Sequence, residues 1–327
     1  MKIFHSRLAR TMTRALIVAA SLTLALAARA ADWVPNRPVT LIVPYSPGGG
    51  VDAQARAVAE QLQRMWGQTV IVENAPGADG VIGTRKVMNA KPDGLTLLVQ
   101  LPSLTIIRHL PTYKGPDPVS QLTPVSAFSS LPAVVVATSS VAGKNLGEVV
   151  RSCKALADPC SLGTTEIMAR LLGRALSDEA AMPNLVVVNY KGGGQLVADL
   201  IGNNVKLGIM GLTPVLPHHK SGALKVVMTL GDKRSAALPD VPTAVESGFA
   251  SFNIGTWYGL FAPKGTPPEV VQGIAAAVGR AVRSEGARKA FASVAAEPLG
   301  NTPSEFAAMV RVESERYTAL VKKFPLE

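Results

Sequence analysis

The stretch VPYSPGGGVDAQARA, residues 43–57, places three consecutive glycines between an apolar β-branched run and a helix-like pattern, and the plan returns as VVVNYKGGGQLVADL, residues 186–200. A strand that ends in bare backbone and leads straight into a helix is the junction of a βα unit, so the chain must be built of such units. The surrounding sequence agrees. VTLIVPY (39–45), TVIV (69–72), LTLLV (95–99), AVVVAT (133–138), LVVVNY (185–190), VKLGIM (205–210) and LKVVMTL (224–230) are short and almost continuously apolar. Runs of that kind are expected of strands covered on both faces. Between the first two, Val58, Leu62 and Met65 recur at helical spacing and Gly67 ends the pattern; TTEIMARLLGRALS (164–177) is a second helical stretch. The expected fold class is α/β, with one mostly parallel sheet per domain flanked by helices.

Glycine at these turns permits positive φ and close approach of a ligand to the main chain. The helix that follows offers unpaired N–H groups and a positive dipole end, which favour an anion. A third junction, VENAPGADGVIGTRKV (72–87), spaces Gly77, Gly80 and Gly83 three apart. Charge-assisted hydrogen bonds contribute about 1.5–3 kcal/mol each, so three or four approach the roughly 8 kcal/mol of a micromolar complex. A carboxylate or a phosphate satisfies this chemistry, while tight turn geometry alone accounts for any single junction. Asp52, in the first helical turn, reads either as a cap or as a ligand contact.

Other chemistries lack their motifs. SPGGGVD does not have the G-x-G-x-x-G spacing, and no Walker sequence, G-x-S-x-G elbow or recognisable cysteine nucleophile occurs. The expectation is therefore a binding protein without cofactor or metal, not an enzyme; an exported enzyme acting on a small organic acid is the remaining alternative. His218 and His219, adjacent in LPHHKSG, read as a solvated helix end.

The N-terminus carries Lys2, Arg7, Arg10 and Arg14, the apolar run ALIVAASLTLALAA (15–28) and Ala28-Arg29-Ala30. This is the pattern of a secretory signal cleaved after Ala30, giving an exported protein, with an uncleaved N-terminal anchor as the other reading. Its removal takes away five basic groups and no acidic one, so the formal charge falls from +10 to +5 and the support for nucleic-acid binding goes with it. Cys153 and Cys160, the two cysteines of the chain, read either as a disulfide between a helix end and the next strand or as two buried thiols. A bridge over so short a loop contributes about 2.5 kcal/mol.

Extended, Pro- and Gly-punctuated segments at 122–140 and 252–271 suit two crossings between domains. The expected division is 31–130 for the start of domain 1, 131–256 for domain 2, and 257–327 for the return strand and C-terminal helices of domain 1, with a hinge and cleft between them.

Six blocks in collinear order, PVTLIVPYSPGGGVDAQAR, GQTVIVENAPGADGVIGTRKV, KPDGLTLLV, NYKGGGQLVADLIGNNVKL, LPHHKSGALKVV and RSAALPDVPTAVESGF, resemble the tripartite tricarboxylate transporter receptor family, the Bug-type periplasmic solute-binding proteins. The resemblance implies a two-domain, type II Venus-flytrap fold closing on a small organic anion. It further implies a monomeric receptor serving membrane transporter subunits, or a sensor protein as the alternative partner. Carried over by motif, the first domain would hold a carboxylate with Tyr45, Ser46, Pro47, Gly48, Gly49, Gly50 and Asp52, with Gly77, Ala78, Asp79, Gly80 and Val81, and with Ser103. Thr164, Thr165, Tyr190, Gly192, Gly193 and Thr213 would read the rest of the ligand from the second. Departures from the family pattern cluster at the site. Ala75 replaces a basic residue and Asp79 a glycine in NAPGADG; Lys206 replaces an acid in GNNVK; MGLT (210–213) and Glu166 make the distal side differ. An extra carboxylate at Asp79 would repel an anion unless it faces away or meets a cation.

Overall fold

The computed structural model describes residues 33–326, apart from Gly49, Glu166, Lys191, Gly255 and Thr256. The secretory signal and its cleavage point lie outside the described residues.

Two sheets carry the chain. The first has the strand order β11-β4-β10-β3-β1-β2, built from β1 (Val39–Val43), β2 (Val70–Asn74), β3 (Thr96–Gln100), β4 (Leu122–Ser130), β10 (Trp257–Pro263) and β11 (Glu297–Pro298). The second has the order β7-β6-β8-β5-β9, from β5 (Ala133–Thr138), β6 (Ser161–Thr164), β7 (Val186–Asn189), β8 (Leu207–Gly211) and β9 (Leu224–Thr229). The expected parallel ladders are β2-β1-β3 and β7-β6-β8. The segments that pass between the sheets add antiparallel neighbours: β10 pairs antiparallel with both β3 and β4, and β5 with both β8 and β9. Both sheets are consequently mixed rather than mostly parallel. A strand arriving from the other sheet is not constrained by a right-handed βαβ crossover and can enter in the opposite sense.

Helices cover both faces of each sheet. On one face of the first sheet, α1 (Gly50–Trp66), α7 (Pro268–Arg283) and α8 (Glu285–Ser293) bury Leu41, Leu97, Val99 and Leu260. On the other, Ile42, Leu98, Trp257 and Phe261 meet Phe306 and Val310 of α9 (Pro303–Lys323). In the second sheet Val135, Leu162 and Ile209 pack with α3 (Leu146–Lys154) and α4 (Ile167–Glu179), while Val134, Val136 and Met210 face α5 (Gly193–Ile201). This double cover explains the uninterrupted apolar runs of the central strands.

Three local expectations change. Strands β2 and β7 stand at sheet edges, so Ile71 and Val186 are about half exposed rather than buried. In α1 the inward position at the last turn belongs to Trp66, edge-on to Trp33 at 6.1 Å between ring centroids, while Met65 is exposed. Gly67 does end the helix, at φ 63° with its N–H on the Gln63 carbonyl. Cys153, at the end of α3, and Cys160, just before β6, form a disulfide with their Cα atoms 5.4 Å apart. His218 and His219 fall within the five-residue α6 (Leu216–Lys220), and the ring of His219 accepts the Val226 N–H at 3.2 Å.

The C-terminal helix does not stay with the first sheet. A capping box of Thr302 and Glu305 starts α9 against β10, and its far end, with Tyr317, Leu320, Val321 and Phe324, packs into the core of the second sheet.

Candidate functional site

The carboxyl ends of β3, β6 and β8 meet at one cleft between the two sheets. From the first sheet it receives Leu101 and Pro102, after β3, and Trp257 and Tyr258, at the start of β10; Leu131 and Ala133 come from the β4–β5 crossing. The second sheet adds Thr165, Met168 and Ala169 around the start of α4, with Ile209, Met210 and Gly211 at the end of β8. Thr165 was among the residues expected from motifs, and Met210 and Gly211 belong to the MGLT segment expected on the distal side; the others were not expected.

The glycine junctions at Gly50 and Gly193 lie beside this cleft. An added Cβ at Gly50 would stand 3.7 Å from the Tyr258 hydroxyl and 3.9 Å from Leu131, so the start of α1 adjoins the cleft wall. Ser46, Pro47 and Gly48 are exposed; Gly49 lies outside the described residues. The loop is shaped from within. Asp52 is 4% exposed, and its carboxylate accepts the Gly48 N–H, the Asn74 amide and the Arg56 guanidinium, each at 3.0 Å. Asn74 also donates to the Tyr45 carbonyl, tying the end of β2 to the loop. Burial opposes the charge on Asp52, but the hydrogen bonds from Arg56, Gly48 and Asn74 outweigh it and hold its pKa below the usual carboxylate value. Asp52 therefore organises the loop, its oxygens engaged by the protein's own donors.

The turn at 77–80 has four successive residues at positive φ: Gly77 at 130°, Ala78 at 48°, Asp79 at 54° and Gly80 at 89°. Two of these are non-glycine, and local strain of this kind collects at ligand-binding turns. A Cβ on Gly80 would come within 3.3 Å of the Gln100 amide and 3.6 Å of the Tyr45 hydroxyl. That hydroxyl is bonded to Gln100 at 2.8 Å and to Ser103 at 2.9 Å, so Tyr45 and the buried Ser103 lock the three loops together. Val81 begins α2 (Val81–Met88). Asp79 meets the cation its position demands: its carboxylate pairs with Arg170 of α4 at 3.1 Å, across the two sheets.

Several second-sheet candidates are engaged inside the protein. Thr164 is fully buried and donates to Asn189 at 2.9 Å. The Tyr190 hydroxyl donates to Asp199 at 2.7 Å; burial first, and this bond second, push the phenol up to about 12. Thr213 donates to the Val294 carbonyl at 3.0 Å, a bond that joins the two halves of the molecule. Thr165 lines the cleft, and Gly193 starts α5 where an added Cβ would be 3.0 Å from the terminal methyl of Met210; around Gly192 there is open space. Glu166 lies outside the described residues.

Two mixed sheets joined by crossing strands, with glycine turns beside the cleft between them, define a periplasmic-binding-protein fold. The comparisons name the family: a family model for the tripartite tricarboxylate transporter family receptor matches residues 54–326, and the chain belongs to that family. It is 33% identical over 309 residues to protein BugT of Bordetella pertussis, covering 90% of this chain and 91% of that one. The periplasmic binding protein BugD has the same fold with a TM-score of 0.77 at 32% identity, over 88% of this chain and 98% of its own. MatC of Rhodopseudomonas palustris, solved with bound malate, has a TM-score of 0.77 at 28% identity, over 88% of this chain and 99% of its own. Members of the family are solute-binding receptors, and this chain is one of them.

Proposed function

We propose that this receptor captures a small carboxylate between two closing domains in the periplasm and delivers it to the membrane subunits of a tripartite uptake system, without chemical change to the solute. One observation carries the reading: the start of α1, with its unpaired main-chain N–H groups, adjoins a cleft whose described lining residues include no acid to oppose an anion. The bound malate in MatC is a carboxylate held on the same fold. The crossings at β4–β5 and β9–β10 support domains of residues 31–130 with 257–327, and 131–256. The N-terminal signal would direct export and be cleaved after Ala30, and no helix among the described residues is long and apolar enough to cross a membrane.

Mass spectrometry of solutes released from the purified mature chain, followed by calorimetry on the candidates, tests the reading. A carboxylate that binds and is recovered unchanged is the expected result; turnover of the solute, or failure of every organic anion to bind, overturns it. Gly50→Asp has room for its side chain and puts a carboxylate at the anion end. It should abolish binding while leaving the melting temperature unchanged, since an acid at a helix N-terminus is stabilising.

A further inference from the structure

The cleft beside the glycine junctions is walled by Leu131, Met168, Ala169, Ile209, Met210 and Trp257, and the polar side-chain groups on it, the hydroxyls of Thr165 and Tyr258 and the indole N–H of Trp257, are all neutral. Among the described residues lining it there is no lysine, arginine or histidine. Arg170, next to Ala169 on α4, is paired with Asp79, and Arg174, one turn further on, donates to the Pro325 carbonyl. A second carboxylate on the solute would leave water for a wall without a counter-charge, which is strongly unfavourable, whereas an apolar body gains from burial there.

From this we infer that the solute is a monocarboxylate with an apolar aliphatic or aromatic body. A dicarboxylate of the same length is rejected by the hydrophobic wall and by the Asp79–Arg170 pair, which occupies the cation on the flank. The inference rests on the carboxylate-receptor reading of the same cleft and narrows it.

Matched pairs that differ in one carboxylate test it. The mature chain, freed of carried-over solute by unfolding and refolding, is titrated calorimetrically with hexanoate and adipate, and with 4-methylbenzoate and terephthalate. In at least one pair the monocarboxylate should bind roughly tenfold or more tightly than its partner. A dicarboxylate that binds equally well or better overturns the inference and leaves the receptor reading intact. If neither pair binds, nor malate, nor succinate, both fall. Met168→Lys supplies the missing counter-charge and should shift the preference within the pair towards the dicarboxylate by roughly tenfold, with Met168→Leu as the neutral control. An unchanged preference in a folded Lys variant counts against the apolar-wall assignment; should that variant fail to fold, the wild-type pairs decide alone.

Discussion

Asp52 concentrates more of the site's organisation than its exposed neighbours do. It is a buried carboxylate saturated by three separate parts of the chain, and hydrogen bonds to a charged group contribute about 1.5–3 kcal/mol. Asp52→Ala should therefore lower stability by about 2 kcal/mol, since the partly exposed Arg56 discounts its share, and should weaken ligand binding by loosening Gly48. The pH dependence has a definite sign. With its folded pKa held below 3.8, Asp52 contributes stability above the unfolded value and loses it as the pH falls through the folded one. The gap between wild type and variant in urea melts should be full at neutral pH and shrink below about pH 4; a gap that grows on acidification would contradict this assignment. Tyr190 makes the complementary case. Its hydroxyl serves Asp199, so Tyr190→Phe should cost about 1 kcal/mol of stability and leave ligand affinity within about twofold. A tenfold loss in affinity with unchanged stability would return Tyr190 to the ligand.

Among the elements, β10 packs closely against α9. An added Cβ on Gly259 would lie 2.1 Å from the ring of Phe306 on α9, and that ring already sits 5.0 Å, centroid to centroid, from both Trp257 and Phe261. Gly259→Ala should destabilise by about 1–3 kcal/mol through overpacking, and Phe306→Leu should recover part of the loss in the double variant. Additive losses would show that the two positions do not share the space. Sequence legibility is also decided at this scale. The central strands and the glycine junctions were readable because burial on both faces leaves an unbroken apolar run and because a strand that leads into a helix through bare backbone leaves a run of glycines. Ile71 and Val186 were misread as buried because an edge strand carries the same β-branched residues as a central one. Met65 and Trp66 are sequence neighbours, and the helical period alone does not say which turns inwards. Most of the cleft wall was missed for a related reason: Leu101, Ile209 and Trp257 terminate or adjoin buried strands, and an apolar residue there looks like core until the opposite sheet is in place. The partners of Asp79 and Thr213 stand 91 and 81 residues away, beyond any local pattern.

Across the whole molecule, the halves meet at more than the two crossing strands. The helix α9 runs from the first sheet's core to the second's, Thr213 reaches Val294, and Asp79 reaches Arg170 beside the cleft. The first of these is a large buried apolar contact that resists shear; the last is a partly exposed ion pair that can form and break as the domains close. Such a pair contributes no more than about 1 kcal/mol, which through the population of the closed state amounts to at most about a fivefold change in affinity. Asp79→Ala should accordingly weaken binding of the solute by about two- to fivefold, expand the unliganded protein in small-angle scattering, and leave the melting temperature within a few degrees. Because salt screens an exposed pair, the wild type in molar salt should approach the affinity of the variant, and the variant should respond less to the same salt. Tighter binding by Asp79→Ala would instead mean that the carboxylate repels the solute, and that Arg170 shields only part of its field.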